Sequence, residues 1–306
     1  MARRTGIFRT PATTALGTVP VLAVLLSGLL APPATAGDPP NTGPRGLHRC
    51  ATSGAVTRSC LKGALKDYAR ARAREHLAPM TLPRNFAGLS VPGQLMVLAN
   101  LDRVDRGLPP FGGLSSALQT YAQNGARNHG DPAFPPWTRQ GGSNWASPAS
   151  ALWSEFLWMY DDGPGAGNLD CARASDRGCY GHRHNILAHY RAPLLMGAGV
   201  DRRGGTTQLF LGADRHDRAD VLTWAGERRL IPVGVSRHRL KHGGKVRVWA
   251  SGRTMNVRAT VTHGYRLNHR HCHLKAGHSC TVTVRGKGHG RLTLAGPNGK
   301  VTVKLS

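Results

Sequence analysis

From Leu230 onward the sequence is written in twos. The runs KVRVWA, NVRATVTH, CTVTVRG, RLTLAG and KVTVKLS each alternate apolar with polar residues, and glycine-rich turns separate them. Alternation of this period places every apolar side chain on one face of an extended chain. Several short strands that each have one face to bury must pack as two sheets around a shared core. The pattern therefore predicts a small, immunoglobulin-like β domain over residues 229–306. The same stretch holds 16 Lys/Arg and eight His but no Asp or Glu, hence +16 of the chain's net charge of +25. A segment without Asp or Glu side chains cannot neutralise its cations by side-chain ion pairs of its own, so it should attract polyanions with salt-sensitive affinity. Protonation of its histidines below about pH 6.5 would add to that charge. A basic surface common to an Arg-rich proteome is the plainer explanation of the same composition.

Upstream, the texture changes to helical periods. Residues 60–77 (CLKGALKDYARARAREHL) have helical composition, with only a weak apolar stripe of Ala64, Tyr68, Ala71 and Ala73. They predict a helical extension behind a flexible leader at 37–48. Ser90 is a capping residue and Pro92 suits a first helical turn. Leu95, Leu98, Leu101 and Val104 then recur at helical spacing, leaving Asn100, Asp102, Arg103 and Asp105 as the polar side. A second helix is expected over 114–128 and a third over 147–160, with a Pro/Gly-rich loop between them that ends in GGSNWA. After a further loop, LLMGAGVDRRGGTTQLFLG reads as a hairpin with strands at 194–200 and 207–211. Helices first and a hairpin afterwards point to an α+β chain rather than a doubly wound sheet. With 306 residues, 40% of them hydrophobic, the chain can bury two modest cores.

The N-terminus reads as an export signal over residues 1–36. Arg3, Arg4 and Arg9 form a basic head, Val19–Ala31 an apolar run, and Ala34-Thr35-Ala36 a small-x-small cleavage site. The apolar run is short for a membrane span, although a retained anchor is the alternative. The six cysteines agree with export. They fall into three close pairs, Cys50/Cys60, Cys171/Cys179 and Cys272/Cys280, and none forms Cys-x-x-Cys. Proximity makes those three pairings the cheapest, although six cysteines permit fifteen connectivities. Short disulfide loops suit an oxidising compartment. Export also weighs against nucleic acid as the polyanion, as does the scarcity of stacking aromatics in the tail, which holds Trp249 and Tyr265 alone. An anionic wall polymer or an anionic lipid surface fits better, with the protein secreted and held at the cell wall.

Three motifs in the middle of the chain carry a resemblance. They are ANLDRVDRGLPP (residues 99–110), GGSNWA (141–146), and WMYDDG with GHRHNIL (158–163 and 181–187). In this order they resemble the CAP superfamily of cysteine-rich secretory, antigen 5 and pathogenesis-related 1 proteins, whose shared unit is the SCP domain. The resemblance runs from about Ser90 to Asp214, inside an expected domain at 81–228 that follows the leader and helical extension at 37–80. It implies a three-layer α-β-α sandwich with a central cleft, which two histidines and two acidic residues commonly line. By position, His182 matches the histidine of the Gly-His motif and His129 is the best match for the other. One acidic position falls on Ser143, next to Asn144. The other falls on Asp161, with Glu155 as the second choice.

The chemistry these residues offer is limited. His129, His182 and Asp161 could supply two nitrogens and an oxygen to a weak, open zinc site. The plainer alternative is that His182 only fixes its loop, that His129 is a surface residue beyond a helix end, and that His184 faces solvent. His182 with Asp161 could act as a general base, with Ser143 as a nucleophile, but the chain has neither Gly-x-Ser-x-Gly nor His-Glu-x-x-His. In the tail, His269, His271 and His273 should share one strand face beside Cys272 and Cys280. The expectation is a non-enzymatic module whose cleft takes a small apolar or lipid-like ligand, with a metal-assisted hydrolase of wall or peptide substrates as the rival.

Overall fold

The computed structural model describes residues 37–50, 56–147, 150–212, 218–241 and 243–306. The expected export signal at 1–36 lies outside the described residues. Among the described residues, no helix is long and apolar enough to cross a membrane.

The chain is of the α+β class. Helices α1 (Arg58–Arg74), α2 (Val91–Val104), α3 (Ser116–Arg127), α4 (Ala151–Tyr160) and α5 (Gly181–Leu187) accompany a five-stranded sheet. Its strands are β1 (Gly113–Leu114), β2 (Gln140–Ala146), β3 (Leu194–Val200), β4 (Thr206–Gly212) and β5 (Leu222–Thr223), in the order β2-β4-β3-β1-β5. The expected hairpin is β3–β4. GGSNWA, expected to end a loop, is instead most of strand β2, whose backbone pairs antiparallel with β4 along its full length. Its two glycines and polar residues hid the strand, because β2 is an edge strand that carries little of the core.

The sheet is covered on both faces. Leu195, Leu209 and Leu211 pack against Leu118 and Ala122 of α3, while Met196, Ala198 and Phe210 belong to the larger core with α2 and α4. α3 can lie close because β3 carries glycines beneath it. A Cβ on Gly199 would sit 2.7 Å from the Ala122 carbonyl group. Helix α2 begins as its sequence indicates, with the Ser90 hydroxyl accepting from the Gly93 N–H at 3.3 Å. Its polar side, however, does not face water. Asn100, Asp102, Arg103 and Asp105 are all buried. The reason is tertiary: each finds a partner from another segment, so burial leaves few polar groups unmatched.

Helix α1 supplies the largest part of that match. It is not a peripheral extension: Tyr68, Ala64 and Ala71 are buried in the main core, and the Tyr68 hydroxyl donates to the Leu152 carbonyl at 3.0 Å. Only Ala73 of the expected stripe is exposed. Arg72, fully buried, donates to Asp102 at 3.2 Å, to Asp105 at 2.6 Å and to the Ala78 carbonyl at 2.9 Å. The preceding leader is anchored as well, since Thr42 is buried and its N–H donates to the Tyr160 carbonyl at 2.7 Å.

Beyond Leu230 the described chain forms two further sheets. The first runs β10-β12-β8-β6 and the second β11-β9-β13-β14-β7, where β6 is Gly234–Val235, β7 Arg239–Leu240, β8 Gly244–Trp249, β9 Met255–Val261, β10 Arg266–Leu267, β11 His271–Leu274, β12 Ser279–Arg285, β13 Gly290–Gly296 and β14 Gly299–Leu305. The period-two residues behave as the pattern requires. Val246, Val248, Val282 and Val284 from one sheet bury against Val257, Leu292, Leu294 and Val303 from the other. This module docks on the helical part through Asp105, which accepts from the Gly252 N–H at 2.7 Å, and through Trp249, whose indole donates to the Thr81 hydroxyl at 2.8 Å.

All three disulfides pair by proximity: Cys50–Cys60, Cys171–Cys179 and Cys272–Cys280. The last is more than a local staple. Cys272 is on β11 and Cys280 on β12, so it ties one sheet of the β module to the other.

Candidate functional site: a pocket at the start of helix α5

GHRHNIL is not a loop but the whole of α5. Seven residues are too few to hold a helix by themselves, so its stability is imposed from outside. At its start, Oδ2 of Asp162 accepts from the His182 N–H at 2.9 Å and the Arg183 N–H at 3.2 Å. At its end, the buried Arg103 guanidinium donates to the carbonyls of Ile186 at 2.6 Å and Ala188 at 2.9 Å. Arg103 lies 4.3 Å over the Phe111 ring and, among the described residues, has no carboxylate partner, and burial pushes its pKa down to about 10. From the side, Asn185 braces the helix on β2 by donating to the Ser143 carbonyl at 2.9 Å and Asn144 Oδ1 at 3.0 Å. Ile186 is buried in the core and Leu187 packs against it.

A fourth clamp is ionic. Arg183 donates to Glu75 at 2.7 Å, and Arg106 holds the same carboxylate with bonds of 2.8 and 2.9 Å. Burial alone would raise the Glu75 pKa, but the hydrogen bonds and charges of Arg106 and Arg183 bring it down to about 2. The residue after α1 thereby fixes the helix that carries His182.

His182 lines a pocket of about 370 Å³ together with Asp131, Trp145, Leu157, Trp158, Asp161, Asp162 and residues 167–170. Its Nδ1 lies 2.6 Å from Asp162 Oδ1, which also accepts from Asn168 at 2.8 Å. The imidazole stacks on Trp158, centroid to centroid 6.4 Å, and the Trp158 indole is pinned by donating to the Trp145 carbonyl at 3.1 Å. Burial would lower the imidazole pKa. The hydrogen bond and charge of Asp162, joined by the charges of Asp131 and Asp170, outweigh burial and raise it above the ordinary value. A carboxylate on Nδ1 assigns that nitrogen the proton. The raised pKa widens the pH range in which the ring is a cationic hydrogen-bond donor rather than a base.

The residues nominated from sequence do not all meet. Asp161 lines the pocket, and its carboxyl is pushed up by burial and by the adjacent Asp162 charge. The carboxylate that holds His182, however, is Asp162, one position further on. His129 is not in the pocket wall. It sits in left-handed backbone after α3, 46% exposed, with Nδ1 3.3 Å from Asp201 at the β3–β4 turn. The segment after α3 contributes Asp131 instead. Asn144, fully buried, donates to the His182 carbonyl at 3.2 Å and is a structural tie. Ser143 does not line the pocket, although alternation along β2 puts its side chain on the same sheet face as that of Trp145, which does. Glu155 is buried between α4 and β4, where Gln208 donates to it at 2.5 Å, and burial together with the charge of Asp102 pushes its carboxyl well up. His184, expected in solvent, is only 16% exposed and its Nε2 lies 2.9 Å from Asp38 of the leader. The loop 163–180, closed by Cys171–Cys179, supplies Asn168, Leu169 and Asp170 to the wall. Its Asn and Asp content was the available signal for a polar wall.

A zinc ion on His129 and His182 does not fit this arrangement, because the two imidazoles do not share the pocket wall. Among the described residues, the one group whose ligand atoms converge is His269, Cys272 and Cys280, within 4.8 Å of one another. Both sulfurs there are spent in the disulfide, which leaves no thiolate for a metal. His271 and His273 are exposed on β11, with His273 Nδ1 2.7 Å from Asn256 Oδ1.

No protein-family model matches this sequence, and no curated protein matches it. Among solved structures, the E. coli chaperone DraB is similar at a TM-score of 0.22 and 12% identity, over 24% of this chain. The match spans 53% of the DraB chain, about half its length, and at that score it carries no argument about fold or function.

Proposed function

We propose that this chain is an exported member of the CAP superfamily, with the three-layer sandwich of that family followed by a basic, immunoglobulin-like β domain. It binds a small ligand in the His182 pocket and does not turn it over, while the β domain holds it at an anionic surface of the cell envelope. The observation that carries the ligand reading is the pocket wall. Trp145, Trp158 and Leu157 offer apolar and aromatic surface, and Asp131, Asp161, Asp162 and Asp170 surround the single imidazole with carboxylates. Indole faces attract cations, and carboxylates partly withdrawn from water gain most from a cationic partner. The ligand that suits this wall has an apolar body and an ammonium-type head. No metal step enters the reading, for the reason given by the placement of His129.

The rival hydrolase reading needs His182 as a base and a hydroxyl to activate. The raised imidazole pKa favours the protonated ring over the base, and Ser143 is not part of the pocket wall. The test is titration with octyltrimethylammonium and with octyl sulfate, read by indole fluorescence in the wild type and in Asp170→Asn, a change on an exposed loop residue. The cation should bind more tightly than the sulfate and lose affinity in the variant. Equal affinities, or a preference for the sulfate, would overturn the proposed ligand class. Turnover of an ester or peptide that is lost in His182→Ala would overturn the non-enzymatic reading.

A further inference from the structure

The outward face of the sheet β11-β9-β13-β14-β7 plays no part in the pocket. Its inward side chains, Val257, Leu292, Leu294 and Val303 among them, form the core, so alternation turns the intervening residues to solvent. The register then sorts those residues into rows. Arg291 pairs with Lys304, and Lys304 with Arg239, giving three cations side by side across β13, β14 and β7. Four residues along the strands, Arg258 and Lys300 flank Ala295 in a second row. Between the two rows runs a third, of Thr260, Thr293 and Thr302. The rows of cations are about 13 Å apart and neighbouring strands about 4.8 Å apart.

Three features of this face point to its occupant. All five cations are exposed, and among the described residues none makes an ion pair. Like charges set directly opposite each other across a sheet are destabilising, and residues 229–306 contain no Asp or Glu side chain to relieve them. The large hydrophobic side chains that are exposed, Phe134, Trp137, Leu169, Val221 and Leu230, all lie before residue 231, so the described β strands present no apolar wedge to a bilayer. Guanidinium, ammonium and hydroxyl donors in parallel rows match the oxygens of successive phosphate groups.

We infer that this sheet face is the docking surface for a linear, phosphate-bearing polyanion that lies across the Arg291–Lys304–Arg239 row. The inference rests on the proposal that the β module holds the protein at an anionic surface, and it names the face and the chemistry. The opposite sheet provides a charge-matched control, because Lys245, Arg247 and Arg285 are equally exposed there.

The experiment uses the intact protein, long-chain inorganic polyphosphate, and vesicles containing phosphatidylglycerol, with affinities measured at several salt concentrations. The variant Arg239→Gln/Arg291→Gln/Lys304→Gln should lose about tenfold or more in polyphosphate affinity, and the slope of log affinity against log salt should flatten by about 2. The control Lys245→Gln/Arg247→Gln/Arg285→Gln should change both far less. Equal losses in the two variants would overturn the assignment of the face while leaving the anchoring proposal standing. Tighter binding to vesicles than to polyphosphate would overturn the choice of a polymer over a bilayer. Absence of binding to either by the wild-type protein would overturn the inference and the anchoring proposal together.

Discussion

Replacing Glu75 by Gln removes one negative charge from a site that clamps two arginines and, through Arg183, the helix carrying His182. The size of the effect follows from the carboxyl's own titration. Its pKa falls from the ordinary 4.5 to about 2 in the folded protein. A shift of that size corresponds to about 3 kcal/mol of differential stabilisation, at about 1.4 kcal/mol per pKa unit. The Glu75 side chain is 15% exposed, so solvent screening discounts this only modestly. Because the folded value is depressed, the contribution is complete above pH 4.5 and is lost as the pH falls towards about 2. Urea unfolding of the wild type and of Glu75→Gln, followed by circular dichroism at pH 7, 4.5, 3 and 2, reads this out. The variant should be less stable by roughly 3 kcal/mol at pH 7, and the gap should close as the acid limb is descended. A gap that is independent of pH would show that the carboxylate charge is not what holds the clamp. A variant as stable as the wild type at pH 7 would refute the reasoning outright.

The remaining expectations concern the pocket. Asp162→Asn removes the charge that holds the His182 imidazole above its ordinary value, so its pKa, followed by proton NMR of the ring, should drop. An unchanged titration would mean that Asp131 and Asp170 alone set it. Cys171→Ala/Cys179→Ala opens the loop that forms one pocket wall. Loss of such a short closed loop costs about 2–3 kcal/mol, measurable as a lower urea midpoint, and the affinity for octyltrimethylammonium should fall with it. Unaltered affinity would place the ligand on the Trp145–Trp158 side alone.

Much of this fold is legible where periodicity speaks, and little of it where polar residues assemble from distant segments. Ser90 marks the start of α2, and Leu95, Leu98 and Leu101 mark its buried side. Nothing local reveals that Asp102 and Asp105 are buried too, because the guanidinium that pairs them belongs to Arg72, about 30 residues earlier. Tyr68 and the alanines of α1 make a poor stripe by themselves, yet the helix is central because Arg72 and Glu75 belong to networks that α2 and α5 complete. The candidate site behaves likewise. The Gly-His motif led to His182, and the acidic pair after Tyr160 led to Asp161, which lines the pocket, while its neighbour Asp162 is the one that holds the imidazole. Asp161 ends α4, and where the chain turns after it decides which carboxylate reaches α5. Matching by sequence position brings His129 and Ser143 to the site, whereas the end of α3 turns His129 to Asp201 and Ser143 stays outside the pocket wall.

By itself the sequence determined the α+β class, the disulfide pairs by proximity, the alternating strands of the β module, and a basic tail without Asp or Glu. Those properties depend on neighbours two, three or four positions away, or on composition. Tertiary structure alone decided that α1 is core, that Asp162 rather than Asp161 holds His182, and that Arg239, Arg291 and Lys304 stand in one row. Each of these depends on which distant backbone lies alongside. That is set by the collective packing of whole helices and sheets, and no local pattern encodes it.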